Sequence, residues 1–418
     1  MSSIAPAEET PVVIVADAMV DGAGNDPVMS PTLTIVGGRI TAITTGPRSQ
    51  IPQNSRLIDR AGCTLVPGFI DAHLHLASIP DVARGSPSSA QADLHEHLAG
   101  ILRAQGSLVG GVTTIRDCGG PGLFNVNLRD AQVANLWVGP RILACGYPLT
   151  TTAGHAYFWG GRADDGQTLR RRVRWLFEHH VDFIKVMVTG GMSTPGSNPY
   201  GLQYTVDELR PAVNDAHRLG MRVAAHALCT EGVIVAAESG IDTIEHGWTI
   251  TGRRQDFDHR VVGPVLESGA TVSVTAHESL RSLLPSRPNG GNLAELRRRL
   301  APHKALYDAG IPMIVSSDTI GDRDTRFSGF AESIEVFALG MEVRPAQAIA
   351  AATGHAARAV GILDQTGTLE VGKAADIAVV EGDVGHDLTA LRRIKDVWRD
   401  GRQVVENGRI VQFPSIRI

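Results

Sequence analysis

The stretch LVPGFIDAHLH (residues 65–75) decides how the rest of the chain is read. A Pro-Gly turn opens it, a short apolar run follows, and the run ends in His73 and His75. Residues two apart in a strand point to the same side, so the two imidazoles share a face. Two imidazoles on one face are either the start of a metal site or a satisfied polar pair. Asp71 has the same parity. It is either an orienting partner for a histidine or a plain strand-end polar residue.

Working outward, similar apolar runs recur: GVTTIRDCG (111–119), RILACGY (141–147), DFIKVMVTGG (182–191), MRVAAHA (221–227), IDTIEHG (241–247), ATVSVTAH (270–277) and IPMIVSSD (311–318). Helical patterns lie between most of them, such as 91–107, 206–220, 230–240 and 292–310. Several stop at a glycine just before the next run, as a helix C-terminus should. Eight strands alternating with helices over about 290 residues predict an α/β chain built on a (β/α)8 TIM barrel, here residues 67–364. A doubly wound open sheet competes with this reading, but no GxGxxG follows a strand to support its nucleotide-binding form. Residues 1–66 and 365–418 are different: β-rich runs broken by turns such as Gly38-Arg39 and Gly408-Arg409. They predict a small β-sandwich domain formed from both chain ends.

Composition narrows the function classes. In 418 residues, 39 Lys plus Arg against 44 Asp plus Glu leave a net charge of −5, which argues against a nucleic-acid partner. A hydrophobic share of 43% with 20% charged residues fills a large core and excludes disorder as the main state. No run of about 18 apolar residues marks a membrane span. The start, MSSIAPAEETPVVIV, lacks the basic opening of a signal peptide. Cys63, Cys118, Cys145 and Cys229 are scattered without paired spacing, so no disulfide framework is expected and a cytoplasmic location fits.

Catalytic groups of such a barrel gather at the C-terminal strand ends. Lys185 lies within the fourth run, His226 ends the fifth, His246 the sixth and Asp318 the eighth. Lys185 is the unusual one, because desolvating an ammonium is costly. Either its stem is buried and its tip reaches solvent, or it is neutral. Burial beside divalent cations lowers its pKa, and the free amine then adds CO2 to give a carbamate, a carboxylate able to bridge two ions. His226 and His246 sit one helix-and-strand unit apart. Each alone is an ordinary hydrogen-bonded core histidine; together on successive strand ends they extend the set. Asp318 completes it as a ligand and a proton acceptor.

The motifs VPGFIDAHLHL, IKVMVTGG, AAHA, IEHG and SSDT, with TLTIVGGRITAI in front and GTLEVGKAADIAVV behind, resemble the amidohydrolase superfamily in its binuclear branch with a carboxylated lysine. TTAGHAYFWGG (151–161) and GGMSTPGSNPYGLQYTVDEL (190–209) are most similar to its group of Xaa-Pro dipeptidases, N-acyl amino acid carboxypeptidases and ochratoxinases. The resemblance implies that His73, His75 and Asp318 hold one divalent ion, that His226 and His246 hold another, and that carboxylated Lys185 bridges them. Zinc suits such ligands, with Mn or Co as substitutes. It implies hydrolysis of the amide to a C-terminal amino acid, in an N-acyl amino acid, a dipeptide or an ochratoxin A-like substrate. A metal-bridging hydroxide attacks the carbonyl and Asp318 carries the proton to the leaving nitrogen. A homo-oligomer is implied too, with octamers common in the group.

Substrate-binding candidates are His155 and Tyr204 on loops, Arg326 after the eighth run and His277 just past the seventh. The plain readings are a loop histidine, a packing tyrosine, an exposed arginine and a surface histidine. The segment DTIGDRDTRFSGF (318–330) departs from the small-residue pattern of relatives, which bears on the leaving-group pocket. His95, His97, His179, His180 and His355 read as helix-surface or packing residues. Two rivals remain. A cyclic amidohydrolase of the imidazolonepropionase type uses one metal and lacks the bridging lysine. A non-catalytic scaffold on the same fold tends to lose ligands, and here none is missing.

Overall fold

A computed structural model describes residues 10–46, 51, 54–79, 90–251, 254–255, 257–321 and 327–411. The middle of the chain forms eight strands that pair in parallel, β1 (Phe69–Leu74), β2 (Val112–Asp117), β3 (Arg141–Ala144), β4 (Phe183–Met187), β5 (Arg222–Cys229), β6 (Thr243–Thr251), β7 (Thr271–Thr275) and β8 (Met313–Ser316), and a short ninth, Arg254–Gln255, antiparallel to β6. β1, β2 and β3 pair in parallel as one sheet, and β4, β5, β6, β7 and β8 as another, each strand beside its neighbour in sequence. Hydrogen bonds of residues that follow β3 and β8 reach across at both seams between the sheets. The Leu149 N–H donates to the Lys185 carbonyl and the Met187 N–H to the Leu149 carbonyl, both at 2.8 Å. At the other seam the Asp318 N–H donates to the His73 carbonyl at 2.8 Å, and the His75 N–H to the Thr319 carbonyl at 2.9 Å.

Every residue of β1, β2 and β4 is buried. That burial on both faces is what a parallel sheet covered by helices requires, and it explains why these runs are continuously apolar rather than alternating. The covering helices include Ala90–Val109, Val206–Arg218, Thr230–Glu238 and Leu293–Asp308. Gly220 and Gly310 follow two of them at φ 78° and 86°, a left-handed turn that reverses the chain into β5 and toward β8.

Both chain ends meet in one nine-stranded sheet. Arg56–Pro67 pairs in parallel with Val12–Met19 on one side and antiparallel with Ile377–Glu381 on the other. Its core holds Ile14, Leu33, Ile40, Leu65, Ile377 and Trp398. The buried Asp376 clamps this sheet to the middle of the chain. It accepts from Arg141 of β3 at 2.9 Å, from Thr366 at 2.7 Å and from the Asp400 N–H at 2.7 Å. Among the described residues no helix is long and apolar enough to cross a membrane.

Candidate metal centre

The C-terminal ends of β1, β4, β5, β6 and β8 open into a cavity of about 480 Å³. His73, His75, Lys185, His226, His246 and Asp318 all line it. The donor atoms of His73, His75 and Asp318 lie within 4.8 Å of one another. His73 Nε2 is 3.5 Å and His75 Nε2 3.8 Å from Asp318 Oδ1, and His246 Nδ1 is 3.9 Å from Oδ2. His246 and Asp318 adopt φ of 66° and 51°. A left-handed backbone at a non-glycine strand end is strained, and here it turns two ligand-type side chains inward.

Each imidazole is oriented by what its other nitrogen does. His73 Nδ1 donates to Glu245 Oε2 at 3.0 Å and His75 Nδ1 to the Gly119 carbonyl at 2.9 Å, so both Nε2 atoms are bare and face Asp318. His226 Nε2 donates to the Gly190 carbonyl at 3.0 Å. Its Nδ1 is then an acceptor, and His246 Nε2 donates to it at 2.8 Å. His246 Nδ1 in turn accepts from the Thr275 hydroxyl at 2.8 Å. These tautomers follow from the network, because carbonyl oxygens only accept.

Behind His73 lies a buried charge pair. Glu245 accepts from Arg116 Nη2 at 2.5 Å and from the Thr243 hydroxyl at 2.8 Å. Arg116 also donates to the Ala72 carbonyl at 2.6 Å and to Thr243 Oγ1 at 2.9 Å. Burial pushes the Glu245 carboxyl up, but the Arg116 guanidinium and His73 outweigh it and hold Glu245 well below the usual carboxylate range. Burial, with Lys185 adding to it, lowers His73 to about 4 and His155 to about 4. Burial likewise takes His75, His226 and His246 well below the ordinary histidine value. It raises Asp318 to about 7 and Asp71 to about 6. Asp71 accepts from the Ser317 N–H at 3.0 Å and the His73 N–H at 3.4 Å, so it ties β1 to the end of β8. Lys185 is fully buried, and its Nζ has no hydrogen-bond partner among the described residues.

His155 and His277 line the same cavity. His155 Nδ1 bonds Thr194 Oγ1 at 2.9 Å and its ring lies 4.6 Å from that of His226, while His277 Nδ1 bonds Ser279 Oγ at 2.9 Å. Tyr204 is a correction: it does not line the cavity. Its ring is packed in the core and its hydroxyl donates to the Ala163 carbonyl at 2.7 Å, so no donor is left for a ligand. Arg326 lies outside the described residues. Sequence reading passed over Arg116 and Glu245, although both carry the sign that exposed Lys185: a charge set inside an apolar run. It also passed over Arg298 and Arg299, which line the cavity from the helix Leu293–Asp308. No strand pattern marks those two.

The amidohydrolase family model matches residues 64–411. This chain belongs to the amidohydrolase family. Ochratoxinase of Aspergillus niger is 25% identical to it, over 96% of this chain and 88% of its own length. Imidazolonepropionase of Rhizobium rhizogenes is 26% identical, over 85% of this chain and 88% of its own. The crystal structure of a Xaa-Pro dipeptidase with methionine bound in its active site superposes with a TM-score of 0.80 at 25% identity, covering 94% of this chain and 99% of that one. Membership of the amidohydrolase family supports hydrolysis of an amide bond as the activity.

Proposed function

We propose that this amidohydrolase is a binuclear metal enzyme that cleaves the amide to a C-terminal amino acid, in N-acyl amino acids, dipeptides or ochratoxin A-like amides. One observation carries the reading: side chains from five strands converge on one cavity around a buried lysine whose amine has no partner. A bare amine there fits carboxylation. Once Nζ has given up a proton, CO2 adds to it, an N–C bond forms, and ionisation of the carbamic acid releases a second proton. The eight strands are then one closed (β/α)8 barrel, supported by the bonds at both seams. The described parts of residues 1–66 and 365–418 form the accompanying β domain.

The donor set fits zinc, with imidazole and carboxylate ligands and a lysine that supplies a further oxygen donor once carboxylated. His73, His75 and Asp318 would hold one ion, His226 and His246 the other, and Lys185 both; when bound, the ions polarise the amide carbonyl and acidify a water. Glu245 and the Gly119 carbonyl hold His73 and His75 in the tautomer that presents Nε2. Asp318 takes the proton of the attacking water on a carboxylate oxygen and delivers it to the leaving nitrogen. His155 and His277 stand at the wall to contact the substrate.

Amino-acid release from a panel of N-acyl amino acids and dipeptides by the zinc-loaded protein tests the reading. Release with two ions per chain supports it. Activity on a cyclic amide with one ion per chain moves the protein to its imidazolonepropionase-like relatives, and no turnover of either class removes the assignment.

A further inference from the structure

We propose that Arg299, with Arg298 beside it, is a carboxylate-binding subsite at the mouth of the cavity, and that it selects amides carrying a free carboxylate. The proposal rests on the amide-hydrolase reading for the position of the scissile bond.

The helix Leu293–Asp308 is indexed to the floor of the cavity. Its buried face carries Leu296, Leu300 and His303. His303 Nε2 donates to the His246 carbonyl at 2.6 Å, and its ring meets Trp248 edge-on at 4.4 Å. Arg299 precedes His303 by four residues. It therefore projects from a neighbouring position on the same side of the helix, roughly 6 Å back along the axis, which takes it from the floor toward the opening. Arg298 and Arg299 both line the cavity. Arg298 is exposed and Arg299 partly buried, whereas the imidazoles below them are buried.

The hydrogen bonds leave one fork unused. Glu295 is the carboxylate for both guanidiniums. Arg298 takes it in two contacts, Nε at 2.7 Å and Nη2 at 2.8 Å. Arg299 reaches it only through Nε, at 2.7 Å. The two Nη groups of Arg299 have no hydrogen-bond partner among the described residues. One carboxylate shared by two guanidiniums also leaves a net positive charge. Among the described residues lining the cavity, Asp318 is the only carboxylate, and it lies at the floor. A planar guanidinium with two free amino groups matches the two oxygens of a carboxylate. Phe158, Met192 and Leu280, which line the same cavity, accept an apolar remainder. A side chain near both places agrees: burial first, then Arg281 and Arg299, pushes His277 below its ordinary value.

The test is binding of two probes to the zinc-loaded protein by calorimetry. N-benzenesulfonyl-L-phenylalanine carries the carboxylate, its C-terminal carboxamide does not, and neither has an acyl amide at the sulfonyl group to be cleaved. The wild type should bind the acid at least about tenfold tighter than the carboxamide. R299M should reduce that preference to less than about threefold while carboxamide binding holds, and R299K should restore part of it. Equal binding of the two probes by the wild type, binding of neither, or a preference that survives in R298M/R299M overturns the subsite. These outcomes are independent of turnover. A preference lost in R299M by a protein that hydrolyses no amide keeps the subsite and removes the hydrolase reading.

Discussion

On one side of the cavity floor, His73 and His75 each spend Nδ1 on a fixed acceptor and leave Nε2 bare toward Asp318. On the other side, His226 and His246 spend a nitrogen on each other across 2.8 Å. The first pair is preset for a cation. In the second, His226 Nδ1 accepts the hydrogen on His246 Nε2, and that proton would have to move to His246 Nδ1 for Nε2 to serve as a ligand. Thr275 Oγ1, 2.8 Å from that Nδ1, is placed to turn from donor to acceptor as it does so. Two pairs of the same residue type thus differ in readiness, because a carboxylate and a carbonyl dictate a tautomer whereas a hydroxyl allows either.

The largest way to break this picture is at the group both sides share. Asp318→Asn should keep the fold and lower turnover by at least about a thousandfold, read by steady-state kinetics with circular dichroism as the control. An active variant would remove its proton-transfer role. Lys185→Met removes the candidate bridge. Bound metal, measured by elemental analysis, should fall from two ions per chain to one, held on the His73–His75 side. Two ions retained would mean the sides do not depend on the lysine.

Glu245→Gln attacks the preset side alone. The first ion should bind roughly 10- to 100-fold more weakly, since the partner that fixes the His73 tautomer loses its charge. Arg116 would also be left buried without its counter-ion, so the metal-free melting temperature should drop, by the equivalent of about 3–5 kcal/mol. A metal titration at a temperature where the variant is folded separates the two effects. The smallest expected change is Thr275→Val. Without an oxygen to take the His246 proton, the second ion should weaken by about two- to fivefold while the first is unmoved, below the roughly tenfold loss typical of partners that dictate a tautomer. Equal weakening of both ions would end the asymmetry.

Much of this centre was legible along the chain, for a physical reason. A strand buried on both faces is apolar throughout, so a lysine or histidine at its end stands out against the pattern, as Lys185, His226 and His246 do. The two-residue period puts His73 and His75 on one side. Tyr204 was misread because a loop tyrosine need not face a cavity; its hydroxyl donates to the Ala163 carbonyl instead. Glu245 was missed because strand parity sends it to the side opposite His246. The left-handed backbone at His246 breaks that parity and lets both neighbours face inward. Arg299 was missed because a helix surface rich in arginine looks like any solvated face.

The sequence by itself determined which runs become strands, where the helices stop, and which side chains of ligand type close those strands. Those properties depend on residue periodicity and on the conformational freedom of glycine, both local. Only the tertiary structure decided which nitrogen of each histidine is bare, that Arg116 and Glu245 stand behind His73, and that Arg299 keeps an unspent fork at the mouth. The histidine, Arg116 and Glu245 contacts depend on partners distant in the chain, and the Arg299 fork matters only because folding brings its helix to the cavity.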